Sequence, residues 1–129
     1  MSVPGVEPSV LEDLAAASRI LVDQGVFDQA GHTSMRHPGR AERFLMSRSL
    51  APASTTAADI MEFDLEGAPI DAKGRAAYLE RFIHSEIYKK RQDVNAVMHS
   101  HSRGILPFGV SQVPLRPIFH NASFIGLGV

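Results

Sequence analysis

The first apolar positions to recur do so at helical spacing: Leu11, Leu14 and Ala15, then Leu21 or Val22, fall on one side of a 3.6-residue repeat. Just upstream, Ser9-Val10-Leu11-Glu12 has the Ser-x-x-Glu form of a capping box, in which each side chain satisfies a backbone N–H that the first turn leaves free. The pattern predicts a helix that opens at Ser9 and stops near Gly25. From Gly31 to about Ile70 the apolar runs shorten. Thr33 to Arg36, Phe44 to Ser47 and Ile60 to Leu65 read as strands, with turns at His37-Pro38-Gly39 and Glu66-Gly67. A second helix is predicted from Gly74 or Arg75 to Gln92. Leu79, Phe82, Ile83 and Ile87 form its buried stripe, and Lys89, Lys90 and Arg91 sit near its negative carboxyl end. Val94 to Ser102 alternates and reads as a strand, Ser102 to Phe108 as a turn or short helix, and Pro114-Leu115-Arg116-Pro117 as an extended loop. Strands interleaved with helices predict a layered α/β fold.

Composition narrows the class. The chain has 129 residues, 44% hydrophobic and 21% charged, which fits one globular domain over 1–129 with its own core. It has no cysteine, so disulfides, thiolate metal sites and a cysteine nucleophile are excluded. Thirteen Lys and Arg against fourteen Asp and Glu leave a net charge of -1 with no basic face, so neither nucleic acid nor anionic lipid is an expected partner. The start, Met1 to Pro8, lacks the basic and apolar regions of a secretory signal, and no apolar run approaches the ~20 residues that cross a bilayer. The expectation is a cytoplasmic protein away from membranes. The close, Ala122 to Val129, is apolar and has no polar tail.

The strongest chemical signal is Met98-His99-Ser100-His101-Ser102 at the end of a predicted strand. Strand side chains alternate faces, so His99 and His101 project to one side, where two neutral imidazoles could share a metal ion. Imidazole without sulfur suits Zn, Mn, Fe, Ni or Cu, although paired histidines also occur as plain surface residues. Glu80 and His84 lie one helical turn apart beside the apolar stripe. Their plain alternatives are a solvated ion pair for Glu80 and helix packing for His84, as a loop position is for His120. Gly31-His32-Thr33-Ser34-Met35-Arg36 is a Gly-led turn entering a strand, whose backbone N–H groups and hydroxyls could hold an anion, or which could be an ordinary turn. Ser47 and Arg48 add a hydroxyl and a cation at the end of another strand.

Taken in order, these pieces resemble the class II aldolase/adducin family from about Leu11 to Val129. The likeness rests on Gly31 to Arg36, similar to that family's Gly-Asn-x-Ser-x-Arg turn; on Phe44-Leu45-Met46-Ser47; on Phe63 to Gly67; and above all on Arg91-Gln92-Asp93-Val94-Asn95-Ala96-Val97-Met98-His99-Ser100-His101, close to Arg-Pro-Asp-x-Asn-Ala-Val-x-His-x-His. The resemblance implies a three-layer α/β/α fold around a central mixed, largely antiparallel sheet. It implies a divalent metal, Zn, Mn or similar, held by His99 and His101, Glu80 at the metal as acid/base residue, and a symmetric homo-oligomer. It also implies a further histidine several tens of residues beyond His101. Residue 129 comes first, so the expectation is a domain lacking its C-terminal part, with His120 or a neighbouring subunit as the alternative source of that ligand.

Where family sites for phosphorylated sugars carry Asn in the Gly turn and paired Ser before the Glu, this chain has His32 and Tyr78-Leu79. Ile105 to Val110 with Pro114 to His120 is similar instead to members that remove a carboxyl group from aromatic dicarboxylates. The leading expectation is therefore a divalent-metal-dependent carbon–carbon lyase, a decarboxylase of an aromatic hydroxy-dicarboxylate. Glu80 would move the proton, His120 would protonate the carbanion, and Gly31, His32, Arg36, Ser47 and Arg48 would bind substrate, the two arginines by its carboxylate. A sugar-phosphate aldolase or epimerase is the alternative within enzymes. A non-catalytic adducin-like scaffold, or an inactive fragment, is the alternative outside them. Exposed apolar surface is expected, with aggregation or dependence on partner chains.

Overall fold

The computed structural model describes residues 3–125; 126–129, the end of the apolar close, lie outside the described residues. Helix α1 spans Pro8–Asp23, with Glu7 at its N-cap and Pro8 in its first turn. The expected capping box is not formed. Proline has no N–H to satisfy and its φ is preset for a helix, so the helix opens one residue before Ser9 and no side chain caps it. The other end stops as expected. Gly25 adopts φ +68°, its N–H donates to Val22 O at 2.9 Å, and Val26 N–H donates to Leu21 O at 2.9 Å, the paired bonds of a Schellman ending. Leu11, Leu14, Ala15 and Ser18 are the buried face.

Four strands follow: β1 His32–His37, β2 Arg40–Ser47, β3 Ile60–Asp64 and β4 Ala96–His99. They form one sheet in the order β3-β2-β1-β4, and every pairing among the described residues is antiparallel. Alternation along the strands separates two cores. Leu45 and Ile60 pack with Leu11, Leu14, Val3 and Val6 on the α1 side. Phe44, Met46, Met61, Phe63 and Val97 pack with Tyr88 on the other. Helices thus cover both faces, as an α/β sandwich requires. β4 is shorter than its sequence pattern: it ends at His99, and Val94, Asn95 and residues 100–102 lie outside it.

Tyr88 belongs to helix α2, which spans Arg81–Lys90 and not 74–92. The missing turns are held as irregular chain by hydrogen bonds. Arg75 donates to the carbonyls of Asp71, Ala72, Ala58 and Ile60, Ser49 N–H donates to Ala76 O, and Arg81 donates to Gly67 O and Tyr78 O. The face is also rotated from the expected one. His84, Ser85 and Tyr88 are buried, Ile87 is half-buried, and Leu79, Phe82 and Ile83 are 81%, 44% and 41% exposed. The sheet surface below explains this: β1 presents His32, Ser34 and Arg36 there, and polar helix residues pair with them where apolar ones would strand buried polar groups.

Helix α3, Leu106–Val110, and a 3₁₀ turn, His120–Ile125, close the described chain, with residues 114–118 in neither helix nor strand between them. No helix among the described residues is long and apolar enough to cross a membrane.

Candidate metal centre and acid/base site

The β1·β4 register sets His32 directly opposite His99, so the Gly-led turn and the His-x-His motif meet at one end of the sheet. His99 occupies the last position of β4, and His101 follows two residues beyond it. Strand alternation does not extend to His101, yet the two rings converge, with His99 Nε2 and His101 Nε2 3.1 Å apart and the ring planes at 88°. Asp28, in the loop between α1 and β1, holds His101 from behind: its Oδ2 lies 3.1 Å from His101 Nδ1. The same carboxylate accepts the N–H groups of Ala30 at 2.9 Å and Gly31 at 3.0 Å. The Ala30 bond leads in holding Asp28 below the ordinary carboxylate range; desolvation opposes it, and His101 and the Gly31 N–H add to the lowering. An ionised Asp28 accepts the Nδ1 proton of His101, which leaves the Nε2 lone pair free.

Glu80 stands at the N-cap of α2 and reaches both cross-strand histidines. Its Oε2 lies 3.2 Å from His32 Nε2 and its Oε1 3.6 Å from His99 Nε2. The hydrogen bond from His32 is the main cause of a carboxyl pKa below the usual value. His32 stacks on His99, with ring centroids 4.9 Å apart and planes at 18°, and its other flank meets Tyr78 at 4.7 Å. The His32 side chain is fully buried, whereas Glu80 is 44% and His101 33% exposed on the side-chain scale, so the cluster is floored by His32 and open above. Burial lowers the His32 pKa and outweighs the opposing pull of Glu80. His84 beneath it is driven down to about 3 by burial first and by its histidine neighbours second. Both rings are neutral near pH 7.

The donor set suits a divalent cation. Imidazole nitrogens bind such ions at about 2.0–2.1 Å, so two nitrogens on one ion stand roughly 2.8–3.4 Å apart between octahedral and tetrahedral angles, and the His99–His101 spacing falls in that range. His32, Glu80 and His99 each place one ligand atom within 4.8 Å of the others. His101 stands outside that triad and joins it through His99; Asp28 supplies the carboxylate behind His101 that orients a ligating imidazole, which favours His99 and His101 as the imidazole pair.

The other expected site residues are placed as follows. Gly31 is buried, its N–H already taken by Asp28, and an added Cβ would meet Phe27 at 2.6 Å. Its role in the fold is close approach, not an open anion-binding N–H. Arg36 is 9% exposed and spends its donors on four carbonyls, Val94, Ala41, Tyr88 and Arg91, at 2.6 to 3.1 Å. It closes the C-terminal end of α2, with no hydrogen bond to the histidines among the described residues. Arg48 donates to Asp59 at 2.7 Å, and Ser47 is buried opposite Ile60 on the face it shares with Leu45. His120 is exposed in the 3₁₀ turn against Phe119, and no hydrogen bond joins it to the cluster among the described residues. Asp28 and Tyr88 were not singled out by sequence as site residues, and Ser34 entered only as one of the hydroxyls of the Gly-led turn. The Asp-x-x-Gly spacing before β1 is the one signal that could have marked Asp28.

An antiparallel sheet between helices, with imidazoles and a carboxylate gathered at one end, defines an aldolase-type α/β architecture. The chain belongs to the class II aldolase and adducin N-terminal domain family, whose profile matches residues 12–128. It is 39% identical to decarboxylase tropJ of Talaromyces stipitatus over 131 residues, covering 100% of this chain and 48% of that protein. It is 33% identical to 3,4-dihydroxyphthalate decarboxylase of Arthrobacter keyseri over 117 residues, covering 83% and 46%. Among solved structures, L-fuculose 1-phosphate aldolase from Glaciozyma antarctica superposes with TM-score 0.81 at 28% identity, over 98% of this chain and 55% of that one. The chain spans about half the length of the curated relatives it matches.

Proposed function

We infer that this chain carries the metal-binding and acid/base part of a divalent-metal-dependent carbon–carbon lyase, a decarboxylase acting on an aromatic hydroxy-dicarboxylate as a cytoplasmic homo-oligomer. The observation that carries the reading is the convergence of His99 Nε2 and His101 Nε2 at 3.1 Å beside the Glu80 carboxylate at 3.6 Å. Its substrate class is supported by the names of the relatives, tropJ and 3,4-dihydroxyphthalate decarboxylase.

Loss of a carboxyl group leaves an electron pair on carbon, and a divalent ion supplies Lewis-acid stabilisation of the charge spread onto a neighbouring oxygen. His99 and His101 would hold that ion, with Asp28 on Nδ1 of His101 leaving the Nε2 lone pair available for it. Glu80 moves a proton at the carbon through Oε1, since Oε2 is engaged by His32. The buried His32, stacked on His99 and flanked by Tyr78, excludes water from below.

A retro-aldol reaction on a sugar phosphate is the second reading, favoured by the 0.81 TM-score to an L-fuculose 1-phosphate aldolase. Zinc-loaded or manganese-loaded protein incubated separately with 3,4-dihydroxyphthalate and L-fuculose 1-phosphate tests both. Carbon dioxide release from the diacid, abolished by Glu80→Gln, is the expected result. Cleavage of the sugar phosphate alone would replace the decarboxylase reading.

A further inference from the structure

Beneath the site five side chains stand in line. Tyr88 Oη lies 2.8 Å from Ser34 Oγ, Ser34 Oγ 2.6 Å from His84 Nδ1, His84 Nε2 2.8 Å from His32 Nδ1, and His32 Nε2 3.2 Å from Glu80 Oε2. Ser34, His84 and Tyr88 are at most 1% exposed, so bulk water is no alternative partner. Every contact needs one proton. Two hydroxyls and two neutral rings supply one each, four protons for four contacts, and they can be laid in only two directions.

In one direction Tyr88 donates to Ser34, Ser34 to His84 Nδ1, His84 Nε2–H to His32 Nδ1, and His32 Nε2–H to Glu80. All four protons meet an acceptor, and the line ends on a carboxylate, which only accepts when ionised. In the other direction the bare His32 Nε2 faces a carboxylate oxygen, two acceptors 3.2 Å apart. The Tyr88 proton then finds no acceptor among these groups. A buried donor without a partner forfeits its hydrogen bond to water with nothing in return, and an acceptor pair adds repulsion. The first direction is therefore the stable one.

We propose that Ser34, His84 and Tyr88 are positioning residues that hold His32 as its Nε2–H tautomer, so that His32 donates to Glu80 Oε2 and aims the carboxylate. The idea rests on the reading of Glu80 as the acid/base group. It gives His32 the role of donor to Glu80 and not of metal ligand, although its Nε2 lies within ligand reach of His99. It also accounts for the polar face that α2 turns inward, since His84 and Tyr88 are one helical turn apart and Ser34 of β1 bridges them. Glu80, itself partly exposed, would otherwise be free to rotate.

Imidazole ¹⁵N spectra of labelled protein, with no substrate present, test the line. Expected are a protonated Nε2 and a bare Nδ1 on both His32 and His84. Added zinc should shift the His99 and His101 rings and leave the His32 Nε2 proton in place. His84→Gln, which keeps an N–H for His32 and a carbonyl for Ser34, should preserve the His32 signature; His84→Leu should lose it. A proton on Nδ1 of either ring in the wild type, loss of the His32 Nε2 proton on zinc binding, or an unchanged His32 spectrum in His84→Leu would each overturn the proposal. The wild-type spectra decide the matter even where His84→Leu does not fold. A fully active Glu80→Gln would sink the acid/base reading separately, because the tautomers are read without turnover.

Discussion

Each imidazole of the cluster has two nitrogens, and which of them carries the proton decides what the ring does. Asp28 settles the question for His101, and its substitution by Asn should weaken zinc binding about 10- to 100-fold while leaving the fold intact, measured by calorimetric titration. The buried rings also make stability depend on pH. His84 takes up a proton near 6.5 when unfolded and only at about 3 when folded, and His32 is shifted in the same direction. Between those values the unfolded state binds more protons, so stability is full above pH 6.5 and falls as pH drops toward 3. The slope is up to about 1.4 kcal/mol per pH unit for each such ring. Urea denaturation of the metal-free protein across that window should show the fall, and His84→Gln should flatten it. The His-x-His pair was legible because its spacing is local. The roles of Asp28 and Ser34 were not, because each meets its partner across more than 45 residues of chain, and the local turn pattern around them does not say which side chain they face.

Among the elements, α2 shows why periodicity misled. Leu79, Phe82 and Ile83 make a convincing apolar stripe, but hydrogen bonds to β1 outrank it, and the helix turns His84, Ser85 and Tyr88 inward. Strand positions were easier to read, since Leu45 and its neighbours Phe44 and Met46 are buried on opposite faces whichever way the helices rotate. Arg36 locks α2 to the sheet by closing the carbonyls of Tyr88 and Arg91. Arg36→Leu should therefore cost about 3 kcal/mol or more in urea denaturation, because several buried carbonyls lose their partners. Gly31→Ala should cost about 1–3 kcal/mol through overpacking against Phe27, which is 4% exposed and has no room to yield.

On the whole molecule, apolar side chains remain in water on the α2 side and along the final described segment. Leu79 is 81% exposed, Met98 61%, Val110 89% and Ile118 91%. The sequence predicted such surface without placing it, and the stripe meant for the core of α2 is part of it. Leu79→Glu combined with Ile83→Lys should raise the monomer fraction in light-scattering chromatography without changing the helical content. The fold class and the end of the sheet where chemistry gathers were both legible, from the order of strands and from His99 and His101. The depth of the site was not, because it is built by a cross-strand register that pairs His32 with His99.

The central claim is that His99 and His101 share one divalent ion. Zinc content after gel filtration, measured for wild type, His99→Ala and His101→Ala, tests it most directly. About one ion per chain is predicted in the wild type and little in either variant. Equal zinc in all three would contradict the account.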